Sequence, residues 1–271
     1  MDDQNGKIIS NGDLSFHYEE HGPISAPPIL LAHAMGTSLR IWDQQIAVLS
    51  ENFRVIAYDW RGHGHSSAPP GPYTLSEFVD DAVAVLDALN IRTINWVGIS
   101  TGGMIGQGLA IKFPNRVNSL CLCNTTPQAS DGYRQWVADR QVVVRKEGMT
   151  PVWEMTKKLW FTDDFINKAS KEYEKIREIF VSTNPVGYLG GTSAVCDLNY
   201  LPKLREIKCP TTIIAAGDDE VTPPALSELM HREINNSSMH VIDGQKHFSN
   251  VERPKEFNSL LKKHIDRISS T

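Results

Sequence analysis

The sequence of 271 residues lacks the features of a membrane protein or of a nucleic-acid-binding protein. It contains no apolar run of the roughly 20 residues that a bilayer-spanning helix needs. Its first residues, Met1 to Asn5, are acidic and polar, and they lack the basic and apolar regions of a signal peptide. The formal net charge of −5 gives no electrostatic reason to bind nucleic acid or an anionic membrane. We therefore expect a cytoplasmic protein with neither kind of partner.

Cysteine is scarce, and its spacing is not that of a metal site. The four cysteines are Cys121, Cys123, Cys196 and Cys209. The first two alternate along the apolar run Leu120-Cys121-Leu122-Cys123, which is typical of buried thiols in a strand. A Cys-x-Cys pair without a His-rich partner segment is weak evidence for a metal. We expect no metal site, and a reducing compartment in which the thiols stay free.

Strand and helix signals alternate along the first half of the sequence. Apolar residues make up 41% of the chain, enough for the core of one large domain. Residues 28–32 form a continuous apolar run, as expected of a strand buried on both faces. Thr74-x-x-Glu77 is a capping box that opens a predicted helix. Further strands are predicted at residues 8–19, 53–58, 93–97 and 117–123. Such alternation is typical of an α/β protein with a mostly parallel central sheet flanked by helices.

The alternation is interrupted between residues 127 and 204. This segment has a helical pattern, is rich in charged and aromatic residues and contains no convincing strand. Strand signals resume at residues 211–216 and 239–242. A segment of this length is too long for a passive loop in a compact domain. We predict an α/β core formed by residues 1–126 and 205–271 and a helical lid formed by residues 127–204. A helical subdomain without a catalytic role is the alternative.

Gly98-Ile99-Ser100-Thr101-Gly102 matches the pattern Gly-x-Ser-x-Gly. The motif lies between a strand ending near Val97 and a helix starting near Met104, where a nucleophile elbow must lie. The reversal from strand to helix strains the backbone of the serine, and side chains at positions 98 and 102 would collide with neighbouring elements. The helix N-terminus beside Ser100 favours a developing oxyanion. We predict that Ser100 is a nucleophile, and a glycine-rich turn without chemistry is the alternative.

A serine hydroxyl is a poor nucleophile until a base takes its proton, and nine histidines compete for that role. His247 follows the strand at residues 239–242, in a loop before the last helix. Loops at the carboxyl ends of strands are where α/β sheets place functional groups. His63 and His65 lie in a polar turn, and a structural role is expected for His63. We predict that His247 is the base.

The acid that orients the imidazole is expected in Asp218-Asp219-Glu220, directly after the strand at residues 211–216. The chain order serine, acid, histidine agrees with a nucleophile elbow of this type. Three adjacent acids cannot all point at one histidine. Asp219 is preferred, and Asp218 and Glu220 stay open.

An oxyanion hole needs two backbone N–H groups, one from the residue after the nucleophile and one from the loop after an early strand. These positions correspond to Thr101 and to Met35 in His33-Ala34-Met35-Gly36. Gly36 and the small Ala34 permit a close approach to a substrate. An ordinary glycine turn is the alternative for this loop.

At these residues the sequence closely resembles the 3-oxoadipate enol-lactonases. The resemblance covers Gly12 to Leu260. This family has the α/β-hydrolase fold, with a helical lid inserted before the strand that carries the acid. The segments that carry the resemblance are residues 33–37, 58–64, 98–104, 219–224 and 247–252 in the predicted core and residues 145–149, 159–162 and 184–188 in the predicted lid.

The resemblance implies hydrolysis of a small lactone by water through an acyl-enzyme, without a metal or an organic cofactor. It also implies a substrate that carries a carboxylate, and a lid cation should meet that group. The candidate cations are Arg134 and Arg140, and the candidate apolar walls are Trp136, Trp160, Phe161 and Tyr188. For each of these, a solvated helix face or the lid core is the alternative. The sequence departs from many family members at Ala34, Trp60 and Thr101, which leaves the substrate open.

Several other activities would use the same three residues. A broad carboxylesterase, an acyl-homoserine lactonase and a carbon–carbon bond hydrolase are alternatives, and a ligand receptor on this fold is a further one. Haloalkane dehalogenases and epoxide hydrolases are disfavoured because their nucleophile is an aspartate and position 100 is a serine. The sequence leaves monomer and homodimer open.

Overall fold

The computed structural model of the protein describes residues 6–269. In this part of the chain the strands form one eight-stranded sheet in the order β1-β2-β4-β3-β5-β6-β7-β8. The first two pairings, β1–β2 and β2–β4, are antiparallel, and the others are parallel. The strands are β1 Lys7–Asn11, β2 Leu14–His21, β3 Pro28–Ala32, β4 Arg54–Tyr58, β5 Ile94–Ile99, β6 Val117–Cys123, β7 Thr211–Ala216 and β8 Ser237–Ile242. The predicted mostly parallel sheet is confirmed.

The helix that the capping box predicts and the helix predicted after Ser100 are both present, the second with a shifted start. The capping box at Thr74 is present, with reciprocal bonds between Thr74 and Glu77. The helix expected from Met104 begins at Thr101, because the glycines after Ser100 are already helical. The helices are α1 Asp43–Leu49, α2 Leu75–Ala88, α3 Thr101–Lys112, α4 Asp131–Glu147, α5 Met149–Trp160, α6 Asp163–Lys168, α7 Lys171–Ser182, α8 Pro185–Cys196, α9 Pro224–Glu233, α10 Ser249–Glu252 and α11 Pro254–Ser269. Among the described residues, no helix is long and apolar enough to span a membrane.

The two faces of the sheet bury two separate apolar clusters. Successive strand residues point to opposite faces, so Leu120 and Leu122 of β6 enter one cluster while Cys121 and Cys123 enter the other. The first cluster includes side chains of α2 and α3, and the second includes those of α1 and α11. All four cysteines are free thiols, and Cys121 and Cys123 are fully buried.

Helices α4 to α8 occupy the segment between β6 and β7, and the helical pattern predicted there is confirmed. Large aromatic side chains of α5, α7 and α8 belong to the same apolar cluster as α1 and α11. The Trp160 ring lies edge-on to Phe248, with 4.4 Å between ring centroids, and also contacts Phe180. The five helices are therefore packed onto the sheet domain close to the loop that carries His247.

A buried histidine joins α11 to three strands of the sheet. His264 Nδ1 lies 2.9 Å from Thr212 Oγ1, and Nε2 lies 3.1 Å from Ser119 Oγ. The Ser119 hydroxyl in turn donates to Asn95 Oδ1 at 2.9 Å. Burial, assisted by the charge of Arg267, lowers the pKa of His264 to about 4. The folded protein therefore keeps this imidazole neutral where the unfolded chain would protonate it.

Acidification should therefore destabilise the protein in a window set by His264. In the unfolded chain His264 takes up a proton below its ordinary pKa of about 6.5, whereas in the folded chain it does so only below about pH 4. The free energy of unfolding therefore decreases as pH falls through this range. The free energy of unfolding, measured with urea at pH 7.5 and pH 4.5, should decrease on acidification by about 2 kcal/mol less in His264→Gln than in the wild-type protein. Equal decreases in the free energy of unfolding in the two proteins would mean that folding does not lower the pKa of His264.

Candidate active site

Ser100 occupies a sharp turn between β5 and α3. Its backbone angles, φ 53° and ψ −118°, lie in a region that a residue with a side chain rarely adopts. The turn is tight enough that a Cβ atom at Gly98 would overlap the Gly102 carbonyl, and one at Gly102 would overlap that of Ala32. Ser100 N donates to Cys123 O at 2.9 Å, which fixes the turn against β6. The geometry is that of the nucleophile elbow predicted from the motif.

His247 and Asp219 form a buried hydrogen-bonded pair. His247 Nδ1 donates to Asp219 Oδ2 at 2.7 Å, and only 1% and 3% of the two residues is exposed. Asp219 follows β7, and His247 lies in the loop after β8. The other two acids of the cluster, Asp218 and Glu220, are exposed, and Glu220 pairs with Lys246 at 2.9 Å. Of the three candidate acids, the structure brings only Asp219 to the histidine.

The Asp219 carboxylate is surrounded by donors. Val221 N and Thr222 N donate to Oδ1 at 2.8 and 3.0 Å, while Thr222 Oγ1 and Asn124 Nδ2 donate to Oδ2 at 2.7 and 3.2 Å. Burial alone would raise the pKa of Asp219, but the imidazole of His247 and the bonds from Thr222 outweigh it and hold this pKa below its usual value. The carboxylate is ionised, so His247 carries its proton on Nδ1 and presents Nε2 as an acceptor.

The amides of Met35 and Thr101 are free to receive a ligand. Thr101 is the first residue of α3, where a helix leaves its N–H groups unsatisfied. Met35 lies in the loop after β3. Neither N–H donates to any residue in the described part of the chain. The two donors predicted for an oxyanion hole are therefore present and unoccupied by protein groups.

Parallel pairing gathers these residues at one edge of the sheet. The carboxyl ends of adjacent parallel strands lie side by side, so the segments after β3, β5, β6, β7 and β8 meet there. Backbone bonds join these segments in turn: Asn124 N donates to Ile214 O at 2.8 Å, and Gly217 N donates to Ile242 O at 2.9 Å. The edge holds the Met35 loop, Ser100, Asp219 and His247.

Arg140 on α4 is a buried cation. It is 4% exposed, and its guanidinium lies 3.4 Å from the centre of the Trp136 ring. Nη2 donates to Met155 O at 3.2 Å, but Nε has no hydrogen-bond partner among residues 6–269. Within the same range of residues, no carboxylate forms an ion pair with it.

Two phenols and the carboxylate of the preceding residue in the chain influence this cation. Burial lowers the pKa of Arg140, opposed by Tyr188, Tyr133 and Asp139. Burial also raises the pKa of Tyr188 to about 12 and that of Tyr133 further, so both phenols are neutral. Arg140 thus keeps its charge in a pocket of neutral rings.

The other predicted substrate residues are placed differently. Arg134 is exposed and pairs with Asp131 at 2.7 Å, as a solvated helix face would. Trp136 lines an open cavity of about 610 Å³ between α4 and the residues after Asp219. Trp160 is 5% exposed, and its carbonyl accepts a hydrogen bond from Phe248 N at 3.1 Å. Trp160 thereby contacts the loop that carries His247 as well as the apolar cluster.

Sequence reasoning missed Asn124 and Thr222, which hold Asp219. Asn124 follows β6 directly, is fully buried and has a positive φ of 42°. A polar residue at the carboxyl end of a buried strand was the available signal for Asn124. Thr222 is visible only as part of the turn that wraps the carboxylate. In residues 6–269, no group of three His, Cys, Asp or Glu side chains converges as a metal site would require.

Comparison with known proteins identifies the family. Residues 27–254 match the model of the alpha/beta hydrolase fold family. The chain is 34% identical to 3-oxoadipate enol-lactonase 2 of Acinetobacter baylyi over 95% of each chain. The enol-lactonase of Burkholderia xenovorans LB400 superposes with a TM-score of 0.92 at 31% identity, covering 96% of this chain and 100% of that one. A hydrolase from Pseudomonas aeruginosa PA01 superposes with a TM-score of 0.93 at 33% identity, covering 97% of this chain and 99% of that one. The chain belongs to the α/β-hydrolase fold family.

Proposed function

We propose that the protein hydrolyses a carboxylic ester bond through an acyl-enzyme on Ser100, and that its substrate is 3-oxoadipate enol-lactone. The observation that carries the hydrolase proposal is the buried pair of Asp219 and His247, joined at 2.7 Å at the sheet edge that also bears Ser100 on its strained turn. The similarity to enol-lactonases over nearly the whole chain supports the substrate.

In the first step, His247 Nε2 takes the proton of the Ser100 hydroxyl as the oxygen attacks the lactone carbonyl. The Met35 and Thr101 amides bind the oxyanion of the tetrahedral intermediate. Asp219 stabilises the imidazolium through Nδ1. Collapse of the intermediate breaks the ring carbon–oxygen bond, and His247 returns its proton to the leaving enolate oxygen.

In the second step, water hydrolyses the acyl-enzyme. His247 takes a proton from water, the hydroxide attacks the ester carbonyl, and the same two amides receive the oxyanion. Expulsion of the Ser100 oxygen, which regains its proton from His247, frees a carboxylic acid. The enol formed in the first step tautomerises to a ketone, so the product is a keto acid.

We further propose that residues 127–204 form a lid whose Arg140 binds a carboxylate of the substrate. A buried cation without a counter-ion is expensive, because it has lost its water and gained no charge partner. The unsatisfied Nε offers an anion a hydrogen-bond donor, and the two phenols beside Arg140 are neutral, so they do not repel an anion. A substrate with a free carboxylate would supply both the missing counter-ion and an acceptor for Nε.

Arg140→Met should therefore separate charged from neutral substrates. Loss of a charge-assisted hydrogen bond is worth about 1.5–3 kcal/mol, so kcat/KM on 3-oxoadipate enol-lactone should fall by about 10- to 100-fold. Phenyl acetate has no carboxylate, and its kcat/KM should change by no more than a few-fold. Steady-state rates on both substrates, followed in one preparation, measure this difference.

Arg134→Met is the matched control, because this arginine is exposed and already paired with Asp131. It should leave both substrates nearly unchanged. Equal losses on both substrates in Arg140→Met would make Arg140 a structural residue. If the wild-type protein instead favoured an acyl-homoserine lactone or a neutral ester over the enol-lactone, the substrate proposal would fail while the hydrolase proposal stood.

A further inference from the structure

The peptide before Met35 is held in one orientation by its carbonyl. Ala34 O accepts hydrogen bonds from His33 Nδ1 at 2.8 Å, from Thr37 Oγ1 at 2.7 Å and from Thr37 N at 3.3 Å. In a trans peptide the C=O and N–H groups point in opposite directions. Fixing Ala34 O in the protein interior therefore aims the Met35 N–H the other way, where it has no acceptor among the described residues.

The peptide after Met35 is held by its N–H group. Gly36 N donates to His63 Nε2 at 2.9 Å. Gly36 has a φ of +70°, and a Cβ there would lie 2.7 Å from the Phe180 ring, so the position requires glycine. Gly36 itself supplies no side chain that could hold this peptide.

His63 is suited to accept this bond. It is 1% exposed, and its ring centroid lies 3.7 Å from that of Trp60, whose Nε1 donates to His33 O at 3.1 Å. Burial lowers the pKa of His63 well below its ordinary value, with the neighbouring His33 adding to the effect. The ring is therefore neutral, with its proton on Nδ1 and a lone pair on Nε2.

We propose that His63 is a positioning residue for the oxyanion hole, fixing the Met35–Gly36 peptide so that the Met35 amide meets the developing oxyanion. This inference rests on the proposed acyl-transfer mechanism and gives His63 more than the structural role expected from sequence. A hydrogen bond weakens steeply as its angle departs from linearity, so a small rotation of this loop costs transition-state binding. Ground-state binding does not use this donor and is unaffected.

The test compares His63→Leu with His63→Gln on phenyl acetate. Leucine removes the acceptor, whereas glutamine can place a carbonyl oxygen near the Nε2 position. Removing an oxyanion donor costs about 10²–10³-fold in kcat, so misaligning one should cost His63→Leu about 10- to 100-fold, with KM nearly unchanged. His63→Gln should recover most of this loss. Should His63→Leu not fold, His63→Asn replaces it, since its shorter amide cannot reach the Nε2 position.

The inhibition constant of phenylboronic acid is a second measurement, and it should not change if His63 has a purely structural role. The tetrahedral adduct of this acid with Ser100 places an oxygen in the oxyanion hole, so the inhibition constant should rise in His63→Leu in parallel with the loss of kcat. Unchanged kcat and unchanged boronate affinity, or a KM effect that glutamine does not rescue, would overturn the proposal. A wild-type protein with neither esterase activity nor boronate binding would instead contradict the acyl-transfer mechanism itself.

Discussion

Ser100→Ala should reduce turnover by about 10⁶-fold, judging from the cost of removing a triad member in another serine hydrolase. Alanine keeps the Cβ and removes the oxygen that would attack the carbonyl. The strained backbone at φ 53° is retained, and the Ser100 hydroxyl makes no hydrogen bond to any described residue, so the fold should survive. Turnover of phenyl acetate, with thermal unfolding as a check, measures this effect.

Ser227→Ala is a matched control for this substitution. Ser227 is a fully buried serine on α9 whose hydroxyl has no partner in the described part of the chain. Its replacement should change neither turnover nor labelling by a fluorophosphonate, whereas Ser100→Ala should abolish labelling. Activity close to wild type in Ser100→Ala, once contamination is excluded, would mean that another residue is the nucleophile.

The sheet was predictable because its strands are short apolar runs separated by turn or helix signals. β3 and the second half of β6, Leu120 to Cys123, are buried on both faces, and both sequences are accordingly continuous in apolar residues. Glycines at positions 98 and 102 mark the elbow because any side chain there would overlap a neighbouring backbone. Local sequence was therefore sufficient to predict the strands and the position of the turn at Ser100.

Contacts between distant segments were not predictable in the same way. His63 and Gly36 are 27 residues apart, and the local sequence around neither residue indicates that the two form a hydrogen bond. The burial of Arg140 is similar: α4 is charged along its length, and only the packing of the helices decides which arginine loses its solvent. Arg134, six residues earlier on the same helix, remains exposed.

The choice within Asp218-Asp219-Glu220 also depended on three-dimensional structure. Each acid has the chemistry to orient an imidazole, and their spacing gives little discrimination. The turn that follows directs the amides of Val221 and Thr222 at the middle residue only. Asp219 was preferred from the sequence and supported by the family resemblance, and the donors around it supply the physical reason.

Asp219→Asn should lower turnover by about 10⁴-fold, as the comparable change does in another triad. The amide nitrogen must occupy one of the two oxygen positions. At Oδ1 it would face the backbone N–H groups of Val221 and Thr222, which cannot turn away. At Oδ2 it faces the Thr222 hydroxyl, which can rotate, the Asn124 side-chain amide, which can flip, and the His247 ring, which can exchange its proton.

The amide nitrogen therefore takes the Oδ2 position, and His247 accepts a hydrogen bond on Nδ1 and carries its proton on Nε2. An imidazole in this tautomer cannot take the proton of Ser100, and the neutral amide cannot stabilise an imidazolium. Glu220→Gln is the matched control, since this acid is exposed and its ion pair is with Lys246, and it should cost no more than a few-fold. Measured as kcat on phenyl acetate, a larger loss in Glu220→Gln than in Asp219→Asn would transfer the role of the acid to Glu220.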